Sequence, residues 1–271
     1  MDLGKVLVFD IETVPDVESC RAIENLGDLG DEEVAELMIH QRLAQTQGGS
    51  DFIRSYLHRI VAISVVFRGD HLDGGIKVRS LCDAGDPEEL LVRGFFQLID
   101  RHVPVLVSWN GCGFDLPVLH YRALLHGVSS RCYWEQGESR QDFRYNNYLN
   151  RYHLRHLDLM DILSGFQSRA VAPLQDIAVM LGLPGKLGMH GGEVWTQYRA
   201  GNIEGIRRYC EVDVINTYLV YLRWELSRGR LSPAQYANEQ ARLRVCLESQ
   251  ADSAPHFREF LDLWAGEAPA A

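Results

Sequence analysis

Lys5 to Ile11 reads KVLVFDI, and Glu12 and Thr13 follow. The run is apolar and β-branched, which predicts a buried strand at the start of the chain. Asp10 and Glu12 fall at its end, separated by one residue. Side chains alternate along a strand, so both carboxylates share one face and Ile11 lies buried behind them. Like charges side by side repel, and a hard divalent cation with oxygen ligands is the usual remedy. Two solvated acids at a strand end would read the same way. The pair gains meaning only from what else the chain carries.

Downstream, Asp31 to Gln47 has helix-spaced apolar residues at Val34, Leu37, Met38 and Leu43, closed by Gly48 and Gly49. Ile60 to Phe67 predicts a second strand. A turn at Gly74-Gly75 leads to a hairpin partner over Ile76 to Leu81. Asp86-Pro87-Glu88-Glu89 has N-cap chemistry for a helix reaching Arg101. Pro104 to Trp109 reads as a short buried strand, and Leu116 to Leu125 as a helix with Gly127 past its end. Ser129 to Arg155, polar and aromatic, reads as a long excursion over the surface. Leu157 to Leu163 is a short apolar-acidic segment that supplies a fifth strand. Leu174 to Leu181 predicts a helix, Leu183 to Glu193 a glycine-rich loop, and Asn202 to Arg228 a long helix. The remainder is helical with an Ala/Pro tail. This order predicts an α/β architecture: a mixed central sheet of about five strands flanked by helices. Residues 1–228 form that domain, and 229–271 form a helical C-terminal extension packed on it.

Composition narrows the choices of function. The 271 residues include 37 acidic and 27 basic side chains, for a net charge of -10. A general basic surface for duplex DNA is excluded, so any contact with nucleic acid is local. The six cysteines (Cys20, Cys82, Cys112, Cys132, Cys210, Cys246) include no C-x-x-C pair and read as free thiols of a reducing compartment. The N-terminal run lacks a basic leader, and no apolar run reaches the roughly 18 residues of a membrane span. A soluble, cytoplasmic chain with no membrane partner is expected.

Two further acid-bearing motifs follow Asp10 and Glu12. Trp109-Asn110-Gly111-Cys112-Gly113-Phe114-Asp115 lies between a strand and a helix. Asn110 and the glycines suit a turn with positive φ, and Asp115 sits at or just before the helix N-cap. Taken alone, Asp115 is also a plain capping residue. Tyr209-Cys210-Glu211-Val212-Asp213 lies inside the long helix. Tyr209 and Asp213 are four apart and share a face with Ile206, Asn216, Thr217 and Val220. An unpaired aspartate on such a core-facing stripe is costly, and a metal ligand would explain it.

Together, in order, the strand D-x-E, the N-x3-F-D before a helix and the Y-x3-D in a late helix resemble the three motifs of the DEDD superfamily of 3′–5′ exonucleases. That superfamily is built on an RNase H-like sheet. The tyrosine variant, DEDDy, fits best, because the histidine variant would carry His where Arg208 stands. The wording FDIET, NGCGFDLPVL and RYCEVDVINTYLVYLR is similar to a stand-alone bacterial group related to the proofreading exonuclease domain of B-family DNA polymerases. The resemblance spans about residues 5–226.

The resemblance implies Asp10, Glu12, Asp115 and Asp213 as the acidic quartet and Tyr209 as the fifth catalytic residue. It implies two divalent cations, Mg²⁺ or Mn²⁺, held by those four acids, since zinc would want His or Cys. Metal A would sit on Asp10, Glu12 and Asp213. Metal B would sit on Asp10, with Asp115 reaching it directly or through water. Tyr209, an ordinary phenol with a pKa of about 10, would aim the attacking water rather than deprotonate it. The implied activity is hydrolysis of phosphodiester bonds at single-stranded DNA or RNA 3′ ends, releasing 5′-mononucleotides by a two-metal mechanism.

Asn110, Phe114, Lys186, His190 and Arg208 are the candidate substrate contacts. Arg207 and the aromatic-basic stretch (Arg140, Phe143, Arg144, Tyr145, Tyr148, Arg151, Tyr152, His153, Arg155) add phosphate and base contacts, unless those aromatics fold into the core. Asp158 reads either as support for the metal site or as a strand-end acid. At this length the chain is expected to act in trans to any polymerase or repair partner. A non-catalytic nucleic-acid-binding module on the same fold and an RNase H-type endonuclease are the alternatives.

Overall fold

The computed structural model describes residues 3–69 and 75–264. Gly74 of the expected turn and the tail from residue 265 lie outside the described residues. Five strands build one sheet: β1 (Val6–Pro15), β2 (His58–Arg68), β3 (Ile76–Ser80), β4 (Val105–Ser108) and β5 (His156–Asp158). Their order is β3-β2-β1-β4-β5. β1, β2 and β3 pair antiparallel, while β4 and β5 extend the other side of β1 in parallel. The sheet is mixed and five-stranded, as the sequence implies.

The helices are α1 (Val17–Glu24), α2 (Asp31–Gln45), α3 (Glu88–His102), α4 (Asp115–His126), α5 (Arg131–Trp134), α6 (Leu159–Leu163), α7 (Leu174–Met180), α8 (Val194–Arg199), α9 (Ile203–Ser227), α10 (Pro233–Glu248) and α11 (Pro255–Leu263). Alternation along β1 sorts the core. Leu7, Phe9 and Ile11 face α3 and α4, where they pack with Phe95, Phe96 and Leu119. Val6 and Val8 face the other way, against Val212, Ile215 and Leu219 of α9. Asp10 and Glu12 continue that second face. The helix carrying Tyr209 and Asp213 therefore crosses the sheet on the side of the paired acids.

The C-terminal helices close over α9. Glu239 of α10 takes a bidentate pair from Arg68 at the end of β2 (2.9 and 3.1 Å), and Tyr218 of α9 donates to the same carboxylate. Burying a charged pair is tolerated when its remaining hydrogen-bond capacity is filled, as here. Among the described residues, no helix is long and apolar enough to cross a membrane.

Several sequence expectations need correction. β1 does not stop at Ile11 but runs to Pro15, because β2 pairs with it as far as His58. Asp10 and Glu12 are thus mid-strand. The register shifts between Glu12 and Thr13, with Glu12 opposite Ala62 and Thr13 opposite Ile60. A bulge of this kind re-aims the side chains beside it. Asp86 does not cap α3; Pro87 holds the cap position, and the Asp86 carboxylate accepts from the Asp83 amide.

The 129–155 stretch is not simply a surface excursion. Tyr133, Phe143 and Tyr148 are buried in the α3/α4 core, whereas Tyr145 and Tyr152 stay exposed. Arg155 lies 3.7 Å from the Phe143 ring centroid and 5.9 Å from that of Tyr148, so its cation serves packing. Leu157 to Leu163 divides at Asp158 into β5 and α6.

Candidate active site

β4 ends its pairing with β1 at Val8, and beyond that point one edge of β1 is open. The chain leaves β4 through Asn110, whose φ is +65°, and turns into α4. Asp115 is the first residue of α4, and its Oδ1 accepts the Ile11 amide on the open edge (3.2 Å). This bond ties the second acid motif to the first. From the other side, α9 delivers Tyr209, Cys210 and Asp213. One ligand atom each of Asp10, Glu12 and Cys210 lies within 4.8 Å of the other two.

The turn that aims Asp115 is itself held by Asp158. The Asp158 carboxylate accepts from the amides of Asn110 (2.9 Å) and Cys112 (2.8 Å) while capping α6 through Met160 and Asp161. Its oxygens are therefore committed to backbone, and Asp161 is paired with Arg151. The nearby Cys112–Asp158–Asp161 cluster is accordingly structural. Asp158→Ala strands several amides at once, each worth about 1–3 kcal/mol when buried. The expected loss is about 3 kcal/mol or more in urea unfolding, with activity falling because Asp115 loses its support.

Lys186 arrives from the glycine-rich loop. Asn216 of α9 grips Gly185 from both sides, with Nδ2 donating to its carbonyl (2.9 Å) and Oδ1 accepting its amide (3.3 Å). Gly185 has φ +68°, a left-handed conformation that strains any residue with a Cβ. Lys186 then donates through Nζ to the Tyr209 hydroxyl and lies 3.8 Å from Asp213 Oδ2.

The electrostatics follow from this crowding. Burial, reinforced by the charges of Asp115, Glu12 and Asp213, holds the Asp10 carboxyl well above the usual range. Glu12 is raised by burial and by Asp213, against the pull of Lys186. Burial pushes Asp115 up to about 7, and Asp213 to about 6 despite Lys186. Burial and the neighbouring acids push the Tyr209 phenol up as well. Without a cation these groups ionise only at a cost.

The residues fit a divalent cation. Asp213 Oδ1 is buried with no hydrogen-bond partner, on the face of α9 that also carries Tyr209. The donor set is carboxylate oxygen. The Cys210 thiol is pushed well up by burial and by Asp10, and it is directed at the Asp10 carbonyl (3.4 Å) and Oδ2 (3.5 Å). A thiol that stays protonated is a poor ligand, which keeps the site hard.

The structure thus brings Asp10, Glu12, Asp115, Tyr209, Asp213 and Lys186 to one place. Phe114 stands at the rim, its ring 4.9 Å from His58 and 5.1 Å from Phe52. Asn110 belongs to the turn beside Asp115. Arg208 and His190 are exposed, and among the described residues neither forms an ion pair with the acids. Arg207, expected to help with phosphate, instead donates to the Leu81 and Cys82 carbonyls. Sequence reading missed the roles of Asn216 and Cys210, whereas Asp158 is both the strand-end acid and the support of the Asp115 turn that it allowed. A polar Asn inside the apolar stripe of α9 was the available signal.

A family model described as a predicted 3′–5′ exonuclease related to the exonuclease domain of PolB matches residues 50–264. The match includes Asp115, Tyr209 and Asp213, starts after Asp10 and Glu12, and continues through α10 and α11. A comparison with curated proteins found no match. Among solved structures, the family B DNA polymerase of the hyperthermophilic archaeon Pyrobaculum calidifontis is similar, with a TM-score of 0.48 and 18% identity. The similarity covers 93% of this chain and 29% of that polymerase.

Proposed function

Because the chain belongs to the family of predicted 3′–5′ exonucleases related to the exonuclease domain of PolB, we propose that it removes nucleotides one at a time from single-stranded DNA or RNA 3′ ends, releasing 5′-mononucleotides. The observation that carries this reading is the convergence of four carboxylates from β1, α4 and α9, with Asp213 Oδ1 left unpartnered among them. Asp10, Glu12, Asp115 and Asp213 would hold two cations, Mg²⁺ or Mn²⁺. When bound, these would offset the carboxylate charge, activate a water and stabilise the leaving 3′ oxygen.

The chain's own groups supply the rest. Tyr209, kept neutral by its raised pKa, offers a hydroxyl to orient the attacking water. Lys186 fixes that hydroxyl and contributes positive charge beside Asp213. Phe114 and Asn110 border the place where the terminal nucleotide would lie. The acidic surface is no obstacle, because attraction for the phosphate is local. A polymerase or repair assembly acting in trans is the partner this activity suits.

Incubation of 5′-labelled single-stranded DNA and RNA with Mn²⁺ or Mg²⁺ tests the reading. A ladder shortening from the 3′ end is expected. Internal cuts would indicate an endonuclease, and binding without products an adaptor. Tyr209→Phe should lower kcat about 100-fold with little change in KM, the size expected for losing one positioned hydroxyl. The wild-type pH profile should show no loss of activity from tyrosine ionisation below pH of about 10.

A further inference from the structure

We infer that the segment 52–56 and the outer face of α4 form a single-stranded nucleic-acid track leading away from the active site; this rests on the nuclease reading above. Ile53 is buried, and Leu57 packs with it in a small cluster with Cys20, Val34 and Met38. Phe52, Arg54 and Tyr56 therefore turn outward together, and all three are exposed. His58 pins the segment from below. Burial lowers its pKa to about 4, so it is neutral, hydrogen-bonded to Thr13 Oγ1 (2.8 Å) and to the Ile53 carbonyl (3.3 Å).

The strip is continuous with the site. The Phe52 ring lies 5.1 Å from that of Phe114, the residue before Asp115. Further out, the Tyr56 ring lies 6.0 Å from that of Tyr121, two turns along α4. Phe52 is 53% exposed, Tyr56 42% and Tyr121 48%. Each edge-on contact between rings leaves aromatic face open to water, and unpaired bases stack on such faces without regard to sequence.

Charge identifies the occupant. The chain is strongly acidic, yet residues 50–59 carry Arg54 and Arg59, with His58 neutral, against a single acid, Asp51. Arg54 donates to the Gln45 side-chain carbonyl, and Arg42 to the Phe52 backbone carbonyl, rather than to carboxylates. Two guanidinium groups beside these exposed aromatics suit the phosphates and bases of one strand. They suit an acid-poor apolar peptide less well.

The test is binding of a 5′-fluorescein oligothymidylate, read by anisotropy in Ca²⁺, with lengths from two to roughly ten nucleotides. Wild-type affinity should rise with length. Tyr121→Ala and Tyr56→Ala should each cost about tenfold on long strands and little on the dinucleotide. Tyr121→Phe and Tyr56→Phe, which keep the ring, should bind like wild type. Arg54→Gln should reduce the salt slope of binding by about 0.7. Retention of length-dependent affinity by both alanine variants overturns the track, as does tyrosine-variant sedimentation that reveals a lost dimer. Hydrolysis of the p-nitrophenyl ester of thymidine 5′-monophosphate by the wild-type protein, read separately, tests the nuclease chemistry. Its failure with length-dependent binding intact would count against that chemistry and for the track.

Discussion

Asp10→Asn should abolish 3′-end hydrolysis while making the metal-free protein more heat-stable. Asp10 is the acid on which the others converge, since the charges of Asp115, Glu12 and Asp213 all act on it and burial acts further. Removing its charge removes an oxygen ligand from both proposed cations, an electrostatic contribution of several kcal/mol to the transition state. The expected fall in kcat is about a thousand-fold or more. The same substitution relieves the folded state. An amide at position 10 can donate to neighbouring carboxylates instead of repelling them. A gain of 1–2 kcal/mol raises Tm by roughly 2–4 °C in a chain of this size. Differential scanning fluorimetry in EDTA at pH 8 measures one arm and the labelled-oligonucleotide assay the other. Lower stability combined with retained activity would remove Asp10 from the site.

Opposed effects of this kind explain which parts of the site were legible. The acids could be read because each breaks a local rule: Asp10 and Glu12 interrupt an apolar strand, and Asp213 interrupts the buried face of α9. The glycines around Asn110 likewise mark the turn. What could not be read is which partner each polar group takes. Asp158 has the same local wording as a metal-site acid, yet four backbone amides claim it. Arg207 and Lys186 are both cations near the motifs, but β3 turns one toward Leu81 while Asn216 brings the other loop inward through Gly185. In the 129–155 stretch, composition cannot say which aromatics the α3/α4 core will accept, because that depends on the cavity those helices leave.

The charge state of the site should also make cation binding strongly dependent on pH. For carboxylates whose folded pKa is raised, the folded chain holds more protons than the unfolded chain. Their stabilisation is complete below the unfolded value, about 4, and is lost as pH rises through the folded values. Those values are about 6 for Asp213 and about 7 for Asp115. Three histidines, two buried and one half-buried, act in the opposite sense. Burial lowers His58, His120 and His156 to about 4. Their contribution is complete above the unfolded value of about 6.5 and is lost as pH falls toward 4. The two sets largely offset each other below pH of about 6.5, and above it only the acids still titrate. Metal-free protein should therefore lose stability from pH of about 6.5 toward pH 8. Mn²⁺ reverses that decline, because the bound site requires ionised carboxylates. At a hundredfold excess over Kd, Tm should rise by about 5 °C or more at pH 8. Calorimetry in buffers of different ionisation enthalpy should record on the order of two protons released per protein at pH 6, and fewer at pH 8. Binding without proton release at pH 6, or a metal-free Tm still climbing from pH 6 to pH 8, would mean that the four carboxylates do not share one buried, mutually repelling pocket.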